Sequence, residues 1–113
     1  MIEVREARGD DERSAALALR HEVFVGEQGV PEELEVDEHD DDALHLVALE
    51  DGRLVGTCRL VDARDHAKFG RLVVARSARG AGVGSALLGE AERRARALGR
   101  ERTVFLVPSP GAL

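Results

Sequence analysis

The sequence predicts an α+β domain built on one mixed, mainly antiparallel sheet, with elements in the order β-α-β-β-β-α-β. Three observations carry this. Asp51-Gly52 lies between two β-rich runs, a strong local signal for an antiparallel hairpin. Leu72-Val73-Val74 leads through a glycine-rich turn into a helical pattern, and a second apolar run follows at Thr103 to Val107. Two such strands joined by a helix form a βαβ unit and must run parallel. At the start, period-2 alternation gives way to helical spacing. At 113 residues the chain fits one domain.

Each element has its own warrant. Ile2 and Val4, with Ala7 beyond them, alternate with charged residues as a half-buried strand does. Asp10 or Asp11 stands where an N-cap belongs, and Ala15, Ala16, Leu19, Val23 and Phe24 mark one helical face. Gly26 and Gly29-Val30-Pro31 end that helix. Leu44 to Leu49 and Leu54 to Val61 are the hairpin strands, with 50–53 as their turn; Asp62 to Lys68 is polar and reads as loop. Phe69 to Ala75 is a central strand, apolar on both faces. Val83, Leu87, Ala91, Ala95 and Leu98 form the stripe of the second helix, with Gly99 as its C-cap. Pro108 and Pro110 stop regular structure after the last strand.

Composition narrows the function classes. The hydrophobic fraction of 43% and charged fraction of 34% fit a globular chain. No apolar run approaches the ~18 residues of a membrane span, and the start lacks a signal-peptide pattern, so a cytoplasmic protein without a membrane partner is expected. Cys58 is the single cysteine, which excludes an internal disulfide and a multi-cysteine zinc site. In a hairpin strand it reads as a small buried residue, not a nucleophile. The net charge is −6, yet eight carboxylates fall within residues 32–42, and without them the chain is slightly basic. The acids read as a solvated surface or as a field attracting a cationic amine. Asp37, Glu38, His39 and Asp40 do not form an EF-hand pattern, and no metal is expected. Arginines gather late, at 71, 76, 79, 93, 94, 96, 100 and 102. With three Phe and neither Tyr nor Trp, the chain lacks stacking residues for nucleic acid, so none is expected as a partner. A small phosphate-bearing ligand suits the arginines better.

The chemistry-bearing stretch is Val74 to Leu88. A strand enters a turn with glycines at 80, 82 and 84, which then opens a helix. Glycines admit a ligand close to the backbone, and the unsatisfied N–H groups of the helix start attract phosphate. Arg76 and Arg79 stand at the mouth, able to pair with phosphate oxygens. A Walker A loop would need Lys after its last glycine, where Ser85 stands. The dinucleotide fingerprint has a different glycine spacing and an earlier place in its fold.

Arg79-x-x-Gly82-x-Gly84 resembles the Arg/Gln-x-x-Gly-x-Gly/Ala signature of the GCN5-related N-acetyltransferases. Arg20-His21-Glu22-Val23-Phe24-Val25-Gly26-Glu27-Gln28, with Val30-Pro31, Glu35, Asp37 and Asp40 beyond, resembles the corresponding segment of the ElaA-like subgroup. The resemblance implies a three-layer αβα fold and transfer of an acetyl group from acetyl-CoA to an amine of a small molecule or protein. It implies that the amides of Gly80, Ala81, Gly82, Val83 and Gly84, with Arg79 and Ser85, hold the pyrophosphate. The edge of Leu72, Val73 and Val74 would hold the pantetheine arm, and the Val74 amide would polarise the thioester. Glu27, Glu35 and His45 are candidate bases; a capping or solvated role for the carboxylates, and a packed one for His45, is the plain alternative. The chain departs from the family in having no Tyr to protonate the leaving thiolate and in ending at Leu113. It is therefore expected to be a single domain, residues 1–113, lacking the usual C-terminal helix and hairpin. A truncated or frame-shifted product is one explanation. A partner that completes the fold, in the simplest case a second copy, is another, since Thr103 to Val107 would be an exposed edge. A non-catalytic CoA-binding or partner-binding module is the alternative function.

Overall fold

The computed structural model describes residues 2–63 and 66–99, together with the backbone of 103–105. Strands β1 (Ile2–Glu6), β2 (Leu44–Glu50), β3 (Arg53–Asp62), β4 (Ala67–Val74) and β5 (Thr103–Phe105) form one sheet in the order β1-β2-β3-β4-β5. The first three pairings are antiparallel; β4 and β5 run parallel. The mixed sheet and its parallel unit follow the expected pattern. Leu106, Val107 and both expected prolines lie outside the described residues.

The two long helices take opposite faces. Helix α3 (Val83–Ala97) lays Val83, Leu87, Ala91 and Ala95 on Leu46, Ala48, Cys58, Leu60 and Val74. Helix α1 (Gly9–Arg20) and the turns after it set Ala16, Leu19 and Val23 against Val47, Leu49 and Val73. The strand period explains this, since Val73 and Val74 must face opposite ways. Gly56 lets α3 approach β3: a Cβ there would lie 2.8 Å from Val83 Cγ1. Burial pushes the Cys58 thiol pKa well above its ordinary value.

Several boundaries differ from expectation. Helix α1 starts at Gly9, and Asp10 and Asp11 lie inside its first turn, where they complement the helix dipole. Glu12 performs the capping bond, accepting from the Arg8 N–H at 2.6 Å. At its other end α1 passes into a π-helical segment, His21–Glu27, which carries the chain past Gly26. Gly29, at φ 72°, then turns it away. The hairpin turn has Asp51 at φ 52° and Gly52 at 82°, the two positive values of a type I′ turn. Strand β4 begins at Ala67, inside the expected loop.

Between the π segment and β2 run a short helix α2 (Glu32–Glu35) and a 3-10 turn (Glu38–Asp41). This is the acidic loop, and it folds back over the α1 side of the sheet.

Candidate active site

Strand β4 changes partner halfway along. Its pairing with β5 covers Ala67, Lys68 and Phe69. On the β3 side, Arg59 faces Gly70 and Thr57 faces Val73, so Cys58 stands opposite two residues, Arg71 and Leu72. That is a β-bulge, and Arg71 takes the strained left-handed φ of 54° within it. Beyond the bulge, the described pairings of β4 run to β3 alone. The Ala75 N–H donates to Val55 O at 2.8 Å, which makes 55/75 a hydrogen-bonded pair and 56/74 a non-bonded one. The N–H and C=O of Val74 therefore point away from β3, toward the side on which no described strand pairs with them. Those of Val73 point at β3, so of the expected contact edge Val73 supplies packing, not amides.

After Val74 the chain makes a 3-10 turn (Arg76–Ala78) and reaches α3 through Arg79, Gly80, Ala81 and Gly82. Gly80 and Gly82 have φ of 84° and 85°, a region that a side chain rarely adopts. A Cβ built on either meets no atom within 4 Å, so the concave side of the turn is open. Gly82 is the N-cap residue of α3, no side chain caps the helix, and no acid sits in its first turn. Gly84 is buried and Ser85 exposed. The amides of Val83, Gly84 and Ser85 have no partner within the helix and add the positive end of its dipole.

Arg79 does something the sequence does not suggest. Its Nε donates to Val74 O at 3.0 Å, while Nη1 and Nη2 donate to Glu27 at 3.0 and 2.8 Å. One guanidinium thus closes the turn from Val74 and ties it to the end of the π segment. Arg76 donates to the same carboxylate at 3.0 Å. The hydrogen bonds from Arg79, then those from Arg76, hold the Glu27 carboxyl down at about 2.

The other two candidate bases are engaged elsewhere. Glu35 is 2% exposed and accepts from Arg20 Nε at 2.7 Å. His45 is buried on β2, its Nε2 donating to Asp40 O at 2.8 Å, and β3 separates it from β4. Both belong to a second assembly. Arg20 also binds Asp40 at 2.6 Å. Arg59 binds Asp37 at 2.7 Å and Asp40 at 3.1 Å. Arg71, from the bulge, reaches Glu35 O at 2.9 Å and Asp37 at 3.2 Å. Burial pushes the Asp40 carboxyl up, but hydrogen bonds from Arg20, the Asp37 N–H and Arg59 outweigh it, and the net shift is downward. The acidic loop is thus not a plain solvated surface: Glu35, Asp37 and Asp40 clasp three arginines. A signal existed in the sequence, because Arg59 and Arg20 occupy inward positions, where a charge needs a partner. Among the described residues no group of His, Cys, Asp or Glu could hold a metal ion, and no helix is long and apolar enough to cross a membrane.

A helix N-terminus behind a glycine turn thus stands beside a bulged strand in an αβα architecture. The chain belongs to the acetyltransferase (GNAT) family, whose model matches residues 6–112. It is 35% identical to the uncharacterized N-acetyltransferase YjcF of Bacillus subtilis over 89 residues, covering 79% of this chain but 64% of that protein's length. The structure resembles Escherichia coli ElaA, with a TM-score of 0.81, 25% identity, and coverage of 93% of this chain and 77% of that one. An acyl-CoA N-acyltransferase from Pseudomonas aeruginosa is 35% identical, with a TM-score of 0.76 and coverage of 89% and 73%.

Proposed function

We propose that this protein is an N-acetyltransferase that moves the acetyl group of acetyl-CoA to an amine acceptor by direct attack. The observation that carries the reading is the open cradle at Gly80 and Gly82, aligned with the start of α3 and with the outward amide of Val74. In this reading the amides of Gly80 to Ser85 hold the pyrophosphate, supported by the room a Cβ would otherwise fill. Leu72 and Val74 flank the pantetheine arm. The Val74 N–H donates to the thioester oxygen, where negative charge develops as the amine attacks. The new C–N bond forms as the C–S bond breaks, the thiolate leaves, and the surplus proton of the new amide nitrogen passes through water to the thiolate.

The attacking amine must first lose a proton. Glu27 accepts from Arg76 and Arg79, and Glu35 is buried against Arg20 with its second oxygen unpaired among the described residues. His45 is buried on β2 with Nε2 donating to Asp40 O, so we assign that proton to solvent water beside β4. An acceptor then reacts as its free base. Its rate should rise with pH until the acceptor's own amine titrates, whatever Glu27 does.

Calorimetry with acetyl-CoA, followed by thiol release with a panel of amines, tests the proposal. Gly82→Val should abolish binding, because a β-branched residue cannot easily take φ 85° and its side chain would fill the cradle. Unchanged affinity in that variant would mean the site is misplaced. Tight binding by the parent chain with no turnover on any amine would select the alternative, a non-catalytic CoA-binding module.

A further inference from the structure

A cavity of about 270 Å³ lies where the acidic loop meets β3 and the bulge of β4. Asp37, His39, Arg59, Lys68, Gly70 and Arg71 are among the residues that line it. Resting on the acetyltransferase reading above, we propose that this cavity receives a carboxylate carried by the amine acceptor.

The carboxylate already there is spent. Asp37 accepts from Arg59 at 2.7 and 3.2 Å, from Arg71 at 3.2 Å and from the His39 N–H at 3.0 Å. A carboxylate has about four lone-pair sites, so Asp37 has none left for a substrate ammonium. The field of a cationic amine is therefore not answered at this point, despite the acids nearby in sequence. Glu38, Asp41 and Asp42 do not line the cavity.

The cationic donors, by contrast, exceed what the protein uses. Arg20, Arg59 and Arg71 are balanced one for one by Glu35, Asp37 and Asp40. Lys68 stands outside that balance: it is exposed, lines the cavity and has no carboxylate partner among the described residues. Arg71 gives its Nε and Nη2 to the loop, which leaves Nη1. Burial, and next the charges of Arg59 and Arg20, lower the Arg71 pKa against the opposing pull of Asp37 and Glu35. The surroundings of Arg71 thus favour an added anion. One ammonium and one guanidinium arm suit the two oxygens of a carboxylate. The bulge lies three residues before Val74, about 10 Å of strand, a gap to be spanned by a short amino acid together with the long side chains that receive it.

The test is turnover of matched acceptors, β-alanine and γ-aminobutyrate, each against its carboxamide, with the parent chain and Lys68→Glu. The acids should exceed their carboxamides in kcat/KM by about tenfold or more, as expected of a charge-assisted pair, and Lys68→Glu should erase that ratio. Carboxamides used as well as the acids, or a preference that survives Lys68→Glu, overturn the proposal. Absence of turnover with every amine would sink the acetyltransferase reading instead. Titration of γ-aminobutyrate by NMR then decides the cavity alone. Saturable shifts at Lys68 and Arg71 that Lys68→Glu removes support it; no shift overturns it.

Discussion

Two arginine–carboxylate assemblies tie the segment after α1 to β4 and the turn that follows, and they differ in their access to water. In the loop assembly, Arg20 is 1% exposed, Glu35 2% and Asp40 8% as side chains. In the turn assembly, Arg79 and Glu27 are each about a fifth exposed, and Arg76 is 79% exposed. Coulomb attraction between exposed partners is mostly offset by solvation and salt, whereas removing one partner of a buried pair strands a charge away from water. The first assembly should therefore govern whether the protein folds. The second should govern how well the glycine turn is held.

The largest expected effect follows directly. Arg20→Ala removes the guanidinium that Glu35 and Asp40 share, leaving Asp40 only its longer bond to Arg59, and should cost about 3–5 kcal/mol. For a domain of this size that lowers Tm by more than about 10 °C, readable by thermal denaturation. Arg79→Ala should leave Tm close to that of the parent. If both variants melt alike, the distinction between buried and exposed assemblies is wrong.

The same contrast explains what could be read in the sequence. Elements with a period or a turn signature were legible: the Asp51-Gly52 hairpin, the stripe of α3, and the parallel unit around it. The position of the glycine turn was legible too, because glycines at 80, 82 and 84 leave few other structural uses. What could not be read was pairing over distance. Arg71 reaches residues 34–37 positions earlier, and Arg79 reaches Glu27 52 positions earlier. Neither partner is marked by spacing, since an ion pair needs only that two chain segments meet. The acidic run looked solvated for the same reason. Its arginine partners are scattered over helix and strands, at 20, 59 and 71. The π segment also escaped notice, because Gly26 is an ordinary helix stop until a wider turn carries the chain past it.

An intermediate effect should appear with acid. Hydrogen bonds hold the Asp37 and Asp40 carboxyls below their ordinary values despite burial. A group whose folded pKa is depressed contributes stability that is fully present above its unfolded value, about 3.9 for Asp. That stability is lost as pH falls through the folded value. Tm should therefore change little from these groups between about pH 5 and 8 and fall steeply below about pH 4. Asp40→Asn should lower Tm at neutral pH and flatten the acid limb. Glu27→Gln should flatten the limb less, because the turn assembly is exposed and solvent and salt screen its bonds. An acid limb that follows Glu27 instead would exchange the roles of the two assemblies.

The smallest effect on stability should be the most informative about function. Arg79 spans Val74 O with Nε and both Glu27 oxygens with its two remaining nitrogens. Only a planar fork can make all three bonds; a lysine ammonium keeps the charge but not the geometry. If Arg79 acts as a clamp on the turn, Arg79→Lys and Arg79→Ala should weaken acetyl-CoA binding to the same extent, about tenfold, the scale of losing one bidentate charged contact. If instead its charge simply attracts phosphate, Arg79→Lys should bind almost as the parent does, and its affinity should fall with added salt as the parent's does. Calorimetry of the three chains at two salt concentrations separates these cases. Equal losses in both variants would mean that the arginine in the glycine motif acts first on the protein's own backbone, tying the Val74 carbonyl and Glu27 to the turn.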